Sequence, residues 1–365
     1  MQQKPRARAL GLPFPGTPGP FNAITDVPGV RVGFATLTDP ARQMRTGVTA
    51  ILPREEKGRP SPVWAGFSAL NGNGEMTGVH WINDAGYFIG PVLITNTHGV
   101  GACHHGATEW MIDRYDTYFR DEYAWAMPVV AETYDGVLND ITAMHVKPEH
   151  AVAALNAARS GPVDEGSVGG GNGMIAYEFK GGTGTASRQV SVGGQNYTVA
   201  ALVQANYGIR EWFTPLGVPV GREMPVAPFR GRARETGSII VIIATDAPLS
   251  DALLRGLAKR GALGIGRTGS PGGNSSGDIF LAFSTADPMP EAARAGPLIV
   301  RHSLNWEEMD PVYEAAVQAV DESVINAIVQ GEDVACVKPP GATCPGIDTI
   351  ELRRIMSRHG RLIGV

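Results

Sequence analysis

RETGSIIVIIATDAP, Arg234–Pro248, holds the most apolar strand pattern in the chain. Ile239 to Ala244 run without a polar interruption, and a continuous apolar run closed by Asp246 and Pro248 predicts a strand over Ser238–Thr245 covered on both faces. A strand covered twice needs a layer on either side. Its front end is less ordinary, because Gly237–Ser238 sets a small, exposed-looking pair directly before it. In one reading the glycine ends a turn and the serine begins a strand. In the other, Ser238 is a nucleophile that becomes the first residue of a second chain once the Gly237–Ser238 bond breaks.

Working outward, apolar runs or alternation bounded by glycine and proline predict strands over Val30–Leu37, Val48–Leu52, Val63–Ala69, Val92–Thr95, Pro128–Thr133, Met174–Phe179, Tyr197–Gln204 and Asp278–Ser284. Helices are predicted over His150–Arg159, over Asp251–Lys259 behind a Ser250 cap, over Pro311–Gln330 behind Asp310, and over Thr349–Arg358. In the third, Val312, Ala316, Val320 and Val324 recur every four residues and make one apolar stripe. Many strands with amphipathic helices between them predict an α+β architecture in which helices cover stacked sheets. The 47 glycines and 27 prolines are spread along the chain, marking turns and no interdomain linker, so residues 1–365 read as a single domain.

With 43% hydrophobic and 18% charged residues, the 365-residue chain can bury a substantial core. A net charge of -5 and the lack of a Lys/Arg cluster argue against a nucleic-acid partner. The arginines of FRGRARE, Phe229–Glu235, read as a solvated or salt-bridged connector. No apolar run approaches the roughly 20 residues of a membrane span, and the first residues lack the apolar stretch of a secretory signal. Cys103, Cys336 and Cys344 form no C-x-x-C pair, so a reducing, cytoplasmic setting is expected.

Several motifs fail on context. GIGRTG, Gly264–Gly269, has dinucleotide-fingerprint spacing but follows a helical segment instead of a strand. GSVGGGNG, Gly166–Gly173, and KGGTGT, Lys180–Thr185, are not phosphate loops, because Lys180 precedes its glycines. A tight loop beside a reacting centre, or a hairpin around Met174–Phe179, explains them better. His98, Cys103, His104 and His105 lack the acid or second cysteine that would complete a metal set. No cofactor or metal is expected, and the absence of G-x-S-x-G removes the simplest α/β-hydrolase reading.

Ser238 gains weight from its company. ETYDG at Glu132–Gly136, QANYG at Gln204–Gly208 and NSSGD at Asn274–Asp278 each put polar groups at a predicted strand end, where sites are commonly assembled. A hydroxyl at the head of a buried strand can attack the Gly237 carbonyl, and the freed Ser238 then carries nucleophile and base together, since an α-amine titrates at roughly 7.7–8.0. Asn206 and Tyr134 offer donors for an oxyanion, and Ser276 and Asp278, two apart, share a face from which they can hold the nucleophile. For each residue alone, a satisfied turn or strand-end group is the simpler account. Together they form a set.

With these residues in place the sequence resembles the L-aminopeptidase D-amidase/D-esterase family, which includes the β-peptidyl aminopeptidases. The likeness is carried by GPFNAITDVPGVRVGFATL (Gly19–Leu37), LNGNGEMTG (Leu70–Gly78), ITNTHGVG (Ile94–Gly101), ETYDGVLND (Glu132–Asp140), GSVGGGNGM (Gly166–Met174), KGGTGTASR (Lys180–Arg188), GSIIVIIATDAPL (Gly237–Leu249) and SSGDIFLAFSTA (Ser275–Ala286). The resemblance implies a four-layer αββα sandwich like that of the N-terminal-nucleophile hydrolases with different connectivity, and self-cleavage into residues 1–237 and 238–365. It implies Ser238 as nucleophile, Tyr134 and Asn206 as transition-state stabilisers, and Ser276 in the network around the nucleophile. Asp278 stands where the family often has glutamate. The implied substrates are short peptides, amides and esters, and the implied assembly is a homo-oligomer, a tetramer of cleaved protomers. Glu132, two residues before Tyr134 and expected on the same strand face, is the candidate partner for a substrate's ammonium. An acyltransferase like the ornithine acetyltransferases, and a non-catalytic binding protein that kept the fold, are the alternatives.

Overall fold

Ser238–Thr245 forms a strand in which every residue is buried, and it lies inside a six-stranded sheet. The computed structural model describes all residues except 1–3, 55–57, 123, 226–234, 287–296, 299 and 364–365. In chain order the strands are β1 (Arg31–Asp39), β2 (Met44–Leu52), β3 (Pro62–Gly72), β4 (Tyr87–Ile89), β5 (Val92–Asn96), β6 (Val129–Thr133), the short pair β7 (Ile175–Ala176) and β8 (Phe179–Lys180), β9 (Gly182–Val192), β10 (Gln195–Asn206), β11 (Ser238–Thr245), β12 (Gly277–Ser284), and the short pair β13 (Val334–Ala335) and β14 (Thr343–Cys344). The helices are α1 (Val79–Ala85), α2 (Val100–Arg114), α3 (Asp116–Asp121), α4 (Pro148–Asn156), α5 (Val220–Glu223), α6 (Asp251–Arg267), α7 (Asp310–Val329) and α8 (Thr349–Arg358).

Two sheets carry the fold, one ordered β1-β2-β5-β6 and the other β4-β3-β12-β11-β10-β9. Alternation along β11 explains its unbroken apolarity. Ile240, Ile242 and Ala244 point between the sheets, toward Ile51, Val92 and Val129 of the smaller one. Ile239, Val241 and Ile243 point the other way, toward Leu254 and Leu257 of α6 and Val320 and Val324 of α7. Burying each such side chain stabilises the fold by roughly 1.5–3 kcal/mol relative to leaving it in water. A third cluster closes the stack, with Val48, Leu93 and Val130 packed on Cys103 and Trp110 of α2 and on Ala151 and Leu155 of α4. The layers are therefore helix, sheet, sheet, helix, the four-layer αββα arrangement.

The structure departs from expectation in several places. The single strand expected over Met174–Phe179 is a hairpin, β7 and β8, because Tyr177 and Glu178 take positive φ values of 51° and 58° between them. In KGGTGT, Lys180 ends β8 and the residues from Gly182 open β9, an 11-residue strand. Its glycines hide it from an apolar-pattern reading, yet packing requires one of them: a Cβ on Gly184 would lie 2.0 Å from the Ser323 carbonyl oxygen of α7. An unexpected helix, α2, carries the buried Cys103 and His105, which bonds to Glu109, while His98 stands in the turn before the helix and bonds to the Ile141 carbonyl. Helix α6 runs eight residues past its expected end and takes in most of GIGRTG. Of the FRGRARE connector, residues 229–234 lie outside the described residues.

Candidate active site

Three strand ends meet at Ser238. Asn206, the last residue of β10, is its partner on one side, and Gly277, the first residue of β12, is its partner on the other. The preceding peptide is held in the same ladder: the Gly277 N–H donates to the Gly237 carbonyl oxygen at 3.2 Å. Only glycine fits at 237, because a Cβ there would lie 2.3 Å from the Asn206 carbonyl oxygen and 2.6 Å from the Tyr207 Cα. The continuous chain thus presents the carbonyl of a side-chain-free residue directly before the serine.

The facing sheet supplies the opposite wall. Strand β6 ends at Thr133, and Tyr134 follows with 44% of its surface exposed, its ring folded over Gly136. A Cβ at Gly136 would sit 2.3 Å from the phenol oxygen, so that glycine sets where the hydroxyl stands. Asp135 anchors the turn from beneath, accepting from Asn96 Nδ2 at 3.0 Å and Asn139 Nδ2 at 3.1 Å. Burial lifts its carboxyl to about 6, against the downward pull of these hydrogen bonds and one from Thr46. The Asn206 amide is oriented from both ends: Nδ2 donates to the Tyr134 carbonyl at 3.0 Å, and Oδ1 accepts from the Ile175 N–H at 2.9 Å. Tyr134, Gly136, Asn206, Gly237 and Lys338 line a cleft of about 440 Å³ in front of the serine strand.

Behind the strand end lies a buried polar group. Ser276 Oγ donates to Asp278 Oδ1 at 2.6 Å, and the two share a face as their spacing predicts. By alternation that face is the one of Ile239 and Phe280, toward the helices, whereas Ser238 belongs with Ile240 between the sheets. No hydrogen bond joins Ser276 or Asp278 to Ser238 among the described residues. Burial first, and then the neighbouring Glu235 carboxylate, raise the Asp278 carboxyl to about 6, while the Ser276 hydrogen bond opposes them. Glu235, 6% exposed, accepts a hydrogen bond from the Gly208 N–H at 2.5 Å, and burial raises its own pKa against the downward pull of the Gly208 and Gly273 N–H groups and of the nearby Ser276 hydroxyl. One oxygen of each carboxyl, Glu235 Oε2 and Asp278 Oδ2, is buried without a hydrogen bond.

Glu132 is 5% exposed and accepts from the Glu75 N–H at 3.0 Å and from Thr97 Oγ1. Tyr134 lies one residue past β6, so strand alternation does not relate the two as expected. Glu132 reaches the site by another route: its carboxylate abuts Gly74, which also neighbours Gly277, the ladder partner of Ser238.

Residues 22–339 match peptidase family S58. The chain belongs to this family. It is 46% identical to the β-peptidyl aminopeptidase BapA of Sphingosinicella microcystinivorans, covering 98% of this chain and 93% of that protein. Among solved structures it is 52% identical, with a TM-score of 0.94, to an L-aminopeptidase D-Ala-esterase/amidase from Ochrobactrum anthropi, described as a prototype of the serine aminopeptidases and a variant of the Ntn-hydrolase fold; 99% of this chain and all of that one are covered. A Burkholderia β-aminopeptidase superposes with a TM-score of 0.88 at 43% identity, covering 98% and 99%. As an S58 member the protein is a hydrolase of peptide and amide bonds with a variant Ntn-hydrolase fold. Neither the acyltransferase nor the binding-protein alternative gains support from these matches.

Every residue expected at the site lies at these strand ends. Three further residues of the S58 chain reach the site. Glu235 stood inside what read as a connector, Gly277 carried no chemistry of its own, and Lys338 reaches the cleft from a segment with no strand pattern. The one available signal was an acid three residues before Ser238.

Proposed function

We propose that the chain cuts itself between Gly237 and Ser238 and then acts as an N-terminal-serine aminopeptidase on short peptides, amides and esters. The observation that carries this is the placement of Ser238: first in a buried central strand, preceded by an obligatory glycine, beside an amide oriented toward the cleft. In the first reaction Ser238 Oγ attacks the Gly237 carbonyl carbon, with the Gly277 N–H on the carbonyl oxygen. The acyl group moves from nitrogen to oxygen, and water hydrolyses the ester, leaving a carboxylate on Gly237 and an amine on Ser238. That amine then takes the Ser238 hydroxyl proton as a substrate's carbonyl is attacked and passes it to the departing amine. Water resolves the acyl-enzyme. Asn206 Nδ2 and the Tyr134 hydroxyl are the proposed oxyanion donors. Ser276 and Asp278 fix the strand end and its new amine, and Glu132 receives the substrate's ammonium.

L-aminoacyl amides, D-alanyl esters and amides, and β-peptides are the candidate substrates, drawn from what the relatives' names state. A homo-oligomer, a tetramer of cleaved protomers, and a cytoplasmic setting complete the proposal; no helix among the described residues is long and apolar enough to cross a membrane. The test is the intact mass of the purified protein under denaturing conditions beside a Ser238→Ala variant. Fragments 1–237 and 238–365 in the wild type and one uncut chain in the variant are expected; an uncut wild-type chain overturns the self-cleavage.

A further inference from the structure

Two charged side chains flank the nucleophile from different directions. Glu132 approaches on the Gly277 side, through Gly74, while Lys338 lines the cleft on the side of Asn206 and Tyr134. Ser238 lies between those two ladder partners. Lys338 is the single formally charged side chain among the described residues lining the cleft, it is exposed, and its ammonium has no partner among the described residues. Its backbone is nevertheless fixed. The N–H groups of Val337 and Lys338 both donate to the Val137 carbonyl, at 2.8 and 3.1 Å, which ties this segment to the turn presenting Tyr134 and Gly136.

A cation held at a cleft wall, with no acid among the described residues to neutralise it, favours an anion in the cleft. An aminopeptidase substrate with its ammonium toward Glu132 and its scissile carbonyl at Ser238 sends its leaving portion the other way. In an unblocked dipeptide that portion ends in a carboxylate one residue, at most roughly 3.6 Å, beyond the scissile nitrogen, within the sweep of a flexible lysine stem. We propose that Lys338 is a specificity residue that binds the free carboxylate of the leaving residue, which makes short peptides with an unblocked C-terminus the favoured substrates. This rests on the aminopeptidase reading of the same cleft. A second source of the same chemistry is the carboxylate that self-cleavage creates on Gly237; the experiment separates the two.

The experiment measures KM and kcat for L-alanyl-L-alanine and β-alanyl-L-alanine beside their C-terminal amides, by release of the N-terminal residue. The enzymes are wild type, Lys338→Met, Lys338→Arg and Glu132→Gln, each after its cleavage state has been checked by mass. The wild type is expected to prefer acid over amide by about tenfold in KM, the weight of one charge-assisted hydrogen bond. Lys338→Met removes that preference by raising KM for the acids alone, with kcat little changed, and Lys338→Arg keeps it. Glu132→Gln raises KM for acids and amides alike. An acid-to-amide ratio in Lys338→Met equal to that of the wild type overturns the proposal. An equal loss on both substrate types also overturns it, since that result assigns Lys338 to the Gly237 carboxylate. Failure of a fully cleaved wild type to release the N-terminal residue from any of the four removes the aminopeptidase reading itself.

Discussion

Glu235 and Asp278 place two carboxyl groups around one serine hydroxyl, and each keeps a buried oxygen without a hydrogen bond. A carboxylate at Glu235 raises the proton affinity of Asp278. The groups facing this pair from the neighbouring elements are the phenols of Tyr177 and Tyr207, both raised by burial, Tyr177 further by Glu235 and Tyr207 further by Asp278. Glu235→Gln removes one negative charge while keeping an amide oxygen for the Gly208 N–H. Asp278, held at about 6 chiefly by burial and secondarily by Glu235, then ionises at lower pH. In the proposed mechanism Asp278 serves the new Ser238 amine in its ionised form, so the acid limb of kcat/KM is expected to move down in pH, read from pH–rate profiles of the two enzymes; an unmoved limb refutes the coupling. Ser276 and Asp278 were legible in the sequence because both are polar residues at the head of an apolar strand. Glu235 was not, because its importance comes from a turn that folds it under the strand it precedes, and no local pattern encodes that.

Among the elements, apolar run length decided what could be read. Strand β11 and helix α7 were found almost to the residue because an uninterrupted run and a four-residue stripe are each unambiguous. Strand β9 is hidden because its buried half is glycine, threonine, alanine and serine with the buried Arg188, which pairs with Glu322 of α7, so closeness to α7 and not apolarity marks it. Gly184→Ala, built in the uncleaved Ser238→Ala background, drives a methyl group into the α7 backbone and is expected to cost about 3 kcal/mol. Gly72→Ala, at the end of β3 where a Cβ meets nothing within 4 Å, is expected to stay within about 0.5 kcal/mol. Urea unfolding of the two variants checks the contrast, and equal stabilities would show that α7 can step back from β9. Helix α2 is hard to read for a different reason: Cys103, Ala107, Trp110 and Met111, its buried side, are spread too thinly among glycine, histidine and threonine to make a stripe.

On the scale of the whole molecule, the proposed cut leaves each product incomplete. The six-stranded sheet places β11 and β12, from residues 238–365, between β3 and β10, from residues 1–237. The two pieces are laced together elsewhere as well, where the Ala7 N–H donates to Asn326 at 3.1 Å and Arg8 pairs with the buried Glu322 at 2.9 Å, both on α7. Neither piece can leave without opening the central sheet. Cutting therefore changes little in the folded molecule and much in the unfolded one, which becomes two separate chains. Unfolding acquires a molecularity it lacked before, and reassembly becomes a collision. The melting temperature of the processed protein is expected to climb with protein concentration more steeply than that of the uncut Ser238→Ala chain, as calorimetry over a range of concentrations would show; parallel slopes would mean that the pieces stay associated after melting. The single-chain precursor is the form that can find this fold unaided, and the processed enzyme keeps a structure that its dispersed parts must meet again to rebuild.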